Sequence, residues 1–157
     1  MLLLRRAEEG DCRLVWDWAN DPDARAVSFS SDPIPWENHV NWFRSRLADP
    51  RCIFYIAIDP GGPPVGQIRY EIDGNEAVVS ISIDRQCRGK GFGNAIISLA
   101  SQKLFEVSDV AVIHAYTKPE NTASIRAFIK AGYKDVGTSN VHGHEATHLA
   151  LQKVEPA

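Results

Sequence analysis

The sequence predicts an α/β (α+β) fold with a mixed, mostly antiparallel sheet flanked by helices. Two observations indicate this class. The local patterns follow the order β-α-α-β-β-β-α-β-α-β-β, and a glycine-rich loop joins a strand to a helix near the middle of the chain, as in the crossovers that link parallel strands. The 157 residues, 44% of them hydrophobic, suffice for a single domain spanning residues 1–157.

The N-terminal third predicts one strand followed by two helices. Leu2–Arg6 is short and apolar, which favours a first strand. The segment "DCRLVWDWA" begins at Asp11 and places apolar residues at helical spacing, so a helix follows. Proline breaks in "NDPDARAVSFSSDPIP" predict a loop with one helical turn. Pro35 then starts a helix over Trp36–Leu47, whose apolar side chains share a face.

The middle of the chain predicts three consecutive strands. The run "CIFYIAI" is apolar and β-branched, and a turn over residues 59–64 separates it from a strand over Val65–Ile72. The "DGN" at residues 73–75 is a hairpin signal. Glu76–Ile83 alternates apolar and polar residues and forms the third strand.

The C-terminal half predicts two further helices within the sheet. Gly91–Glu106 has a helical apolar pattern, and Ala111–Tyr116 is a strand. Asn121 is the predicted cap of a helix that runs to Ala131 and ends at Gly132. The remaining segments, Tyr133–Thr138 and His144–Lys153, are predicted to close the sheet as a terminal hairpin.

Composition argues against several classes of partner. A net charge of -3 does not suit binding to nucleic acid or to an anionic membrane surface. Cys12, Cys52 and Cys87 are odd in number and scattered, which fits a reducing compartment. No apolar run approaches the ~20 residues of a membrane span, and the N-terminus lacks a signal-peptide pattern. We therefore expect a cytoplasmic protein.

The stretch "SISIDRQCRGKGFGNAII" predicts a phosphate cradle. Gly89, Gly91 and Gly93 fall where a helix begins, so backbone N–H groups can approach an anion with help from the helix dipole. A Walker loop is excluded because Gly91 follows Lys90, and a dinucleotide fingerprint needs glycine or alanine where Asn94 stands. The alternative is a tight turn without a ligand.

Two motifs resemble the acyl-CoA-binding motifs of the GNAT N-acyltransferases. They are Arg88-x-x-Gly91-x-Gly93 after a strand and "NTASIRAFIKAGY" over residues 121–133. The resemblance implies the GNAT fold, acetyl-CoA as co-substrate and no metal. It also implies that pantetheine lies between the strands that end at Ile83 and Thr117. The residues it implies for cofactor binding are Ile81, Ile83, Arg88, Gly89, Lys90, Gly91, Phe92, Gly93, Asn94, Asn121, Ser124 and Phe128.

The implied reaction, attack of an amine on a thioester, needs a base, donors to the oxyanion and a proton for the thiolate. The tyrosine that often supplies this proton in the family is replaced here by Phe128. Tyr116 is predicted as the substitute acid, and Tyr133 is expected in the core. Direct transfer requires no cysteine nucleophile, so Cys87 receives no role.

His39 in "PWENHVNWF" is predicted as the catalytic base, since a neutral imidazole is available near pH 7. The alternative is a surface histidine beside the apolar stripe of its helix. A narrower resemblance supports the functional reading. The stretches "WANDPDARAVSF" and "PIPWENHVNWF" are similar to sugar-nucleotide 4-amino acetyltransferases of the pseudaminic acid pathway.

That resemblance implies a UDP-linked amino-deoxy sugar as acceptor, and Arg25 is predicted to contact its phosphates. A homodimer is compatible with this function. Two alternatives stay open: acetylation of a protein N-terminus, and a non-catalytic domain that binds acyl-CoA.

The C-terminal string His144-Glu-x-x-His148 matches the zinc-hydrolase pattern H-E-x-x-H. That pattern works on a helix, where the two histidines face one metal. On a strand, residues four apart are separated by ~13 Å. Because the segment is predicted to be extended, we expect no zinc site and no catalytic role for the string.

Overall fold

A computed structural model describes residues 2–154, and over that range seven strands form one sheet flanked by five α-helices. The helices are α1 (Cys12–Ala19), α2 (Pro22–Ala26), α3 (Trp36–Ala48), α4 (Phe92–Val107) and α5 (Thr122–Lys130). The strands are β1 (Leu3–Arg6), β2 (Cys52–Ile58), β3 (Pro64–Asp73), β4 (Glu76–Ile83), β5 (Val112–Thr117), β6 (Lys134–Val141) and β7 (His144–Gln152). The predicted α/β class and the order of its elements are confirmed.

The sheet has the order β1-β2-β3-β4-β5-β7-β6. Every neighbouring pair is antiparallel except β4 and β5, which are parallel and are joined through α4. The predicted parallel pair is therefore confirmed. Its crossover helix starts directly after the glycine-rich loop, so the loop lies at the C-terminal end of β4.

Helices cover both faces of the sheet. Along β2, Ile53, Tyr55 and Ala57 pack with α4 and α5 in the larger core, whereas Phe54 and Ile56 pack with α1 and α3 in a smaller one. We call these two sides the α4 face and the α3 face. Because side chains alternate along a strand, the faces of β4, β5 and β7 follow from their core residues.

The loop predicted between α1 and α3 contains the short helix α2. Asp21 caps it, since the Asp21 carboxylate accepts a hydrogen bond of 3.2 Å from the Ala24 backbone N–H, and Pro22 occupies its first turn. Across residues 2–154, none of the helices has both the length and the apolar character that a bilayer crossing requires.

Candidate active site

Strands β4 and β5 separate shortly after they begin to pair. Their register contains only Glu76 with Val112, Ala77 with Ile113 and Val78 with His114. Beyond Val78, β4 continues to Ile83 and β5 continues to Thr117 without pairing to each other. We call the opening between these two ends the splay.

The edge of β4 that borders the splay presents backbone groups that do not bond to β3, and of these the Ile83 carbonyl accepts a hydrogen bond from the Arg88 side chain. The Asp84 N–H donates to the Val65 carbonyl at 2.8 Å, and Gly66 is paired with Ile83. Residues of an antiparallel pair alternate between bonding to each other and pointing away. The backbone groups of Ile81 and Ile83 therefore point away from β3 and into the splay, where amides of an extended ligand could bond to them.

The glycine-rich loop closes the C-terminal end of the splay. Gly89 and Gly91 adopt left-handed conformations, with φ of 76° and 81°, and α4 begins at Phe92. A Cβ atom at either glycine would meet no atom within 4 Å, so the space beside the loop is open. Together with the unbonded N–H groups of the first turn of α4, this space fits a pyrophosphate.

Gly93 has a different role from its two neighbours. A Cβ atom at Gly93 would lie 3.5 Å from the Ala127 Cβ. The absence of a side chain there therefore serves the close packing of α4 against α5. Lys90 is exposed, whereas Phe92 and Asn94 are half-buried.

The arginines of the loop are engaged with α2. An Arg88 Nη1 atom lies 3.0 Å from an Asp21 carboxylate oxygen, and Arg85 lies 3.1 Å from Asp23. The Arg88 Nε also donates to the Ile83 carbonyl at 3.2 Å. The positive charge that Arg85 and Arg88 bring to the cradle is therefore partly neutralised by Asp21, which precedes α2, and Asp23, which lies in its first turn.

The residues predicted to bind the cofactor in the motif over residues 121–133 lie in two different environments. Asn121 caps α5, because its carboxamide oxygen accepts a hydrogen bond from the Ser124 N–H at 3.3 Å, and both residues are half-buried. Phe128 is 2% exposed, and its ring packs edge-on against Tyr133 with centroids 5.0 Å apart. The predicted contact between Phe128 and the cofactor is not supported, since this side chain belongs to the core.

Tyr133 also belongs to the core, as expected. Its hydroxyl bonds to the Ser101 Oγ at 2.8 Å, which in turn bonds to the Tyr70 hydroxyl at 3.1 Å. Burial raises the pKa of Tyr133, so it is a poor proton donor to any external group.

His39 is not placed as a catalytic base, which corrects the expectation from sequence. It is 2% exposed, and its Nε2 donates to the Cys12 carbonyl at 2.8 Å. The rings of Trp36, Trp42 and Phe43 surround it at centroid distances of 6.0, 5.7 and 5.8 Å. Burial lowers the pKa of His39. It is a neutral residue of the α1–α3 packing, because a carbonyl and aromatic rings occupy its surroundings.

Arg25 is committed to its own loop, contrary to the predicted role at a nucleotide phosphate. Its Nη1 donates to the Ser30 carbonyl at 2.9 Å and to the Asp32 carbonyl at 3.3 Å, and its Nη2 donates to the Ser28 Oγ at 3.2 Å. These bonds fix the segment after α2 and leave few donors for a ligand.

A polar cluster that the sequence did not predict lies on the α3 face beside the splay. The His114 Nε2 lies 2.8 Å from the Glu76 Oε1, and the His114 Nδ1 lies 2.8 Å from the His148 Nε2. The Tyr116 ring stacks on His148 with centroids 4.6 Å apart. Strand alternation in "VIHAYT" indicates that His114 and Tyr116 share a face, but only the sheet order shows that they meet Glu76 and His148.

The zinc-like string lies on β7 and is extended, as predicted. His144 and His148 occupy different positions along the strand, and only His148 joins the polar cluster. Among the residues that the structure describes, no three His, Cys, Asp or Glu side chains are grouped so that they could hold a metal ion.

A cleft of about 240 Å³ opens where β5 ends and β7 begins. The Phe29 ring lies 6.3 Å from the His144 ring, so the loop after α2 borders this cleft. Its lining has a positive charge on Lys118 and negative charges on Glu120 and Glu145, and Pro119 and His144 complete it. Because β7 runs from this cleft to His148, the cleft and the polar cluster lie along one strand.

Comparison with known proteins agrees with this geometry. The family model described as "Acetyltransferase (GNAT) domain" matches residues 1–134. "Putative phosphinothricin acetyltransferase YwnH" of Bacillus subtilis is 32% identical over 146 residues, which cover 87% of this chain and 86% of that protein. "Uncharacterized N-acetyltransferase MJ1530" of Methanocaldococcus jannaschii is 29% identical over 87 residues, which cover 55% of this chain and about half, 54%, of that protein.

The fold also recurs among solved structures. The aminoglycoside acetyltransferase AAC(6')-Ib, in complex with coenzyme A, superposes with a TM-score of 0.83 at 21% identity. The superposition covers 98% of this chain and 95% of the other. At this identity the likeness concerns the fold alone.

Proposed function

The chain belongs to the acetyltransferase (GNAT) family of acetyl-CoA-dependent N-acetyltransferases, and we propose that its acceptor is the primary amine of a small molecule. The observation that carries this proposal is the splay between β4 and β5, with the open glycine-rich loop at its end. The splay suits an extended pantetheine chain, and the loop suits the pyrophosphate at the other end of coenzyme A.

We assign the binding of the co-substrate to three sets of groups. The backbone at Ile81 and Ile83 would bond to the pantetheine amides. The N–H groups of residues 88–94 would hold the pyrophosphate. Asn121 and Ser124, at the start of α5, would border the far side of the splay.

In the reaction, the amine nitrogen bonds to the thioester carbonyl carbon and the carbon–sulfur bond breaks. The nitrogen loses a proton and the sulfur gains one, so the products are an acetamide and free coenzyme A. Tyr116 lies on β5 at the splay and is the predicted donor of the proton to sulfur. The free N–H groups along the edge of β4 are available to the carbonyl oxygen.

Two observations support a small acceptor with both charge signs. The cleft at His144 presents Lys118 together with Glu120 and Glu145, which suits an amino acid or another zwitterionic amine. The relative YwnH carries phosphinothricin in its name. The UDP-linked amino sugar predicted from the N-terminal segments is the second candidate, although Arg25 is engaged in its own loop.

Calorimetry with acetyl-CoA tests the cofactor site. Gly91→Ala should abolish binding, because the methyl group enters the space that the pyrophosphate needs. Gly61→Ala is a matched control, since Gly61 also has φ of 81° and open space around its Cβ position. It should suffer the same backbone strain and still bind. Absence of binding by the wild type at millimolar acetyl-CoA would contradict the proposed function.

A panel of acceptors tests the substrate class through release of coenzyme A thiol. We expect kcat/KM to be highest for a small amine such as phosphinothricin. Removal of UDP from a 4-amino-4,6-dideoxy sugar should change kcat/KM by less than about tenfold, ~1.4 kcal/mol, because Arg25 is engaged within its own loop. Peptides that outperform every small amine would establish the N-terminal acetyltransferase alternative. Binding of acetyl-CoA without transfer to any acceptor would favour the non-catalytic alternative.

A further inference from the structure

Three ionisable side chains form a continuous hydrogen-bonded chain across the α3 face of the sheet. Glu76 lies on β4, His114 on β5 and His148 on β7, and each of the two links is 2.8 Å long. We call this chain the histidine relay. It begins where β4 and β5 last pair, since Val78 is the register partner of His114. The relay therefore lies next to the closed end of the splay.

The bonding pattern fixes where each proton lies. An ionised carboxylate only accepts hydrogen bonds, so the Nε2 of His114 must donate to Glu76. In a neutral ring the Nδ1 of His114 then accepts, and the Nε2 of His148 must donate to it. The Nδ1 of His148 is left with a free lone pair. Among residues 2–154, no side-chain hydrogen bond engages this atom.

The surroundings of His148 keep its open nitrogen basic without holding a permanent charge. Tyr116 on β5 stacks against the ring, and Asp135 on β6 is the nearby acid. Burial lowers the pKa of His148 and the neighbouring His114 lowers it further, whereas Asp135 opposes both. The ring is therefore neutral at pH 7, as a base must be before it accepts a proton.

We propose that the Nδ1 of His148 is the general base that accepts the proton of the acceptor amine, with His114 and Glu76 as positioning residues. This rests on the proposed function. As the nitrogen–carbon bond forms, the amine proton moves to the Nδ1 of His148. The Nε2 proton of His148 shifts toward the Nδ1 of His114, and the resulting positive charge faces the Glu76 carboxylate. The proton then passes to solvent, and the amide and free coenzyme A leave.

Replacement of His148 tests the base directly. In His148→Gln, kcat should fall by ~10²–10⁴-fold, the usual contribution of general acid–base catalysis. The acid limb of the pH–rate profile should disappear, and the dissociation constant for acetyl-CoA should not change. His142→Asn is the matched control, because His142 is an exposed histidine of the same hairpin at φ of 50°, a conformation that asparagine tolerates. A lower melting temperature with unchanged kcat and acid limb would show that the relay is structural and overturn the proposal.

Glu76→Gln tests the relay without a risk to folding, because Glu76 is exposed. A neutral amide stabilises the protonated ring pair less well, so the acid limb should move to lower pH and kcat should fall by about tenfold. Glu106→Gln, an exposed acid on α4, should leave both unchanged. An acid limb that stays at its wild-type pH in Glu76→Gln would remove Glu76 from the relay.

An NMR titration of the imidazole C–H protons needs no acceptor, so it separates failure of the relay from failure of the proposed function. The His148 C–H shifts should titrate at a pH below that of an ordinary histidine, because burial and the neighbouring His114 lower the pKa of His148. In Glu76→Gln this titration should move to still lower pH. A His148 titration that does not move in Glu76→Gln would overturn the relay even if the enzyme acetylates its acceptor. An inactive wild type whose His148 titration responds to Glu76→Gln would contradict only the proposed function.

Discussion

Two histidines of this chain show how differently the same side chain is used on one face of a sheet. His39 lies between α1 and α3, where its Nε2 bonds to a backbone carbonyl and three aromatic rings surround it. His148 lies on β7, where its Nε2 bonds to another histidine and, within residues 2–154, no side chain bonds to its Nδ1. Both rings are neutral because burial lowers their pKa values.

The difference lies in what happens after a proton arrives. A proton on His39 would be buried among aromatic rings and near the Arg69 guanidinium, which also lowers the pKa of His39. A proton on His148 can be shared with His114, and its charge then faces Glu76. A low pKa alone therefore does not identify a base. The two sites differ in whether the positive charge of a bound proton can be passed to a neighbouring group.

The largest effect expected from the difference between His39 and His148 is a loss of stability when His39 is replaced. His39→Ala should lower the free energy of unfolding by ~2–4 kcal/mol, because it removes a buried ring and leaves a cavity among aromatic side chains. Denaturant unfolding measures this loss. Per folded molecule, kcat and the acid limb should match the wild type. A stable His39→Ala protein with a hundredfold lower kcat would restore His39 to the mechanism.

A smaller effect, on kcat, is expected from a substitution of Tyr116, whose ring stacks on His148 of the histidine relay. Tyr116→Phe keeps the ring against His148 and removes only the hydroxyl. If Tyr116 protonates the leaving sulfur, kcat should fall by about tenfold, ~1.4 kcal/mol, since a thiolate with an ordinary pKa near ~8.5 also leaves unaided. The loss should appear at high pH as well as low. Unchanged kcat over the whole range would leave the thiolate without a protein acid.

The smallest expected effect is a dependence of the free energy of unfolding on pH. The folded-state pKa of His39 is lowered, so below about pH 6.5 the unfolded chain binds a proton that the folded chain does not. Stability should therefore fall as the pH drops from about 6.5 toward the folded-state pKa, by at most ~1.4 kcal/mol per pH unit for one proton. His39→Gln should flatten this slope, whereas His142→Asn should not. Equal slopes in both variants would show that His39 is not the source.

The fold could be predicted from the sequence because the patterns that indicate its strands, turns and helices each involve residues close together in the chain. Strand alternation over Glu76–Ile83, the "DGN" turn and the glycines before α4 each depend on residues close in the chain. The parallel pair around α4 follows from the same signals, whereas the place of pantetheine between its strands is implied by the resemblance to the GNAT family. On this side of the molecule the sequence predicted the glycine-rich loop before α4 and the cap of α5 at Asn121, whereas the burial of Phe128 depends on how α5 packs against Tyr133.

The acceptor side was not predictable because its contacts are distant in sequence. Glu76, His114 and His148 come from three strands, and the one pattern that includes His148, the H-E-x-x-H string, was predicted to have no catalytic role. The roles predicted for His39 and Arg25 rest on their side-chain chemistry and on the resemblance of the N-terminal stretches to sugar-nucleotide 4-amino acetyltransferases. The structure shows instead that the Cys12 carbonyl and the loop after α2 occupy them.

The short register between β4 and β5 has a consequence for how the protein should be handled. Three residue pairs hold these strands together, so the sheet lacks a piece of backbone that the co-substrate would supply. Coenzyme A would then act as a removable strand, and its occupancy would be linked thermodynamically to folding. At a concentration one hundred times its dissociation constant, a ligand of this kind adds about 2.7 kcal/mol to stability. Protein purified without it would have a lower apparent stability than the same chain in a cell, with the amides of Ile81 and Ile83 among those that exchange most readily with solvent.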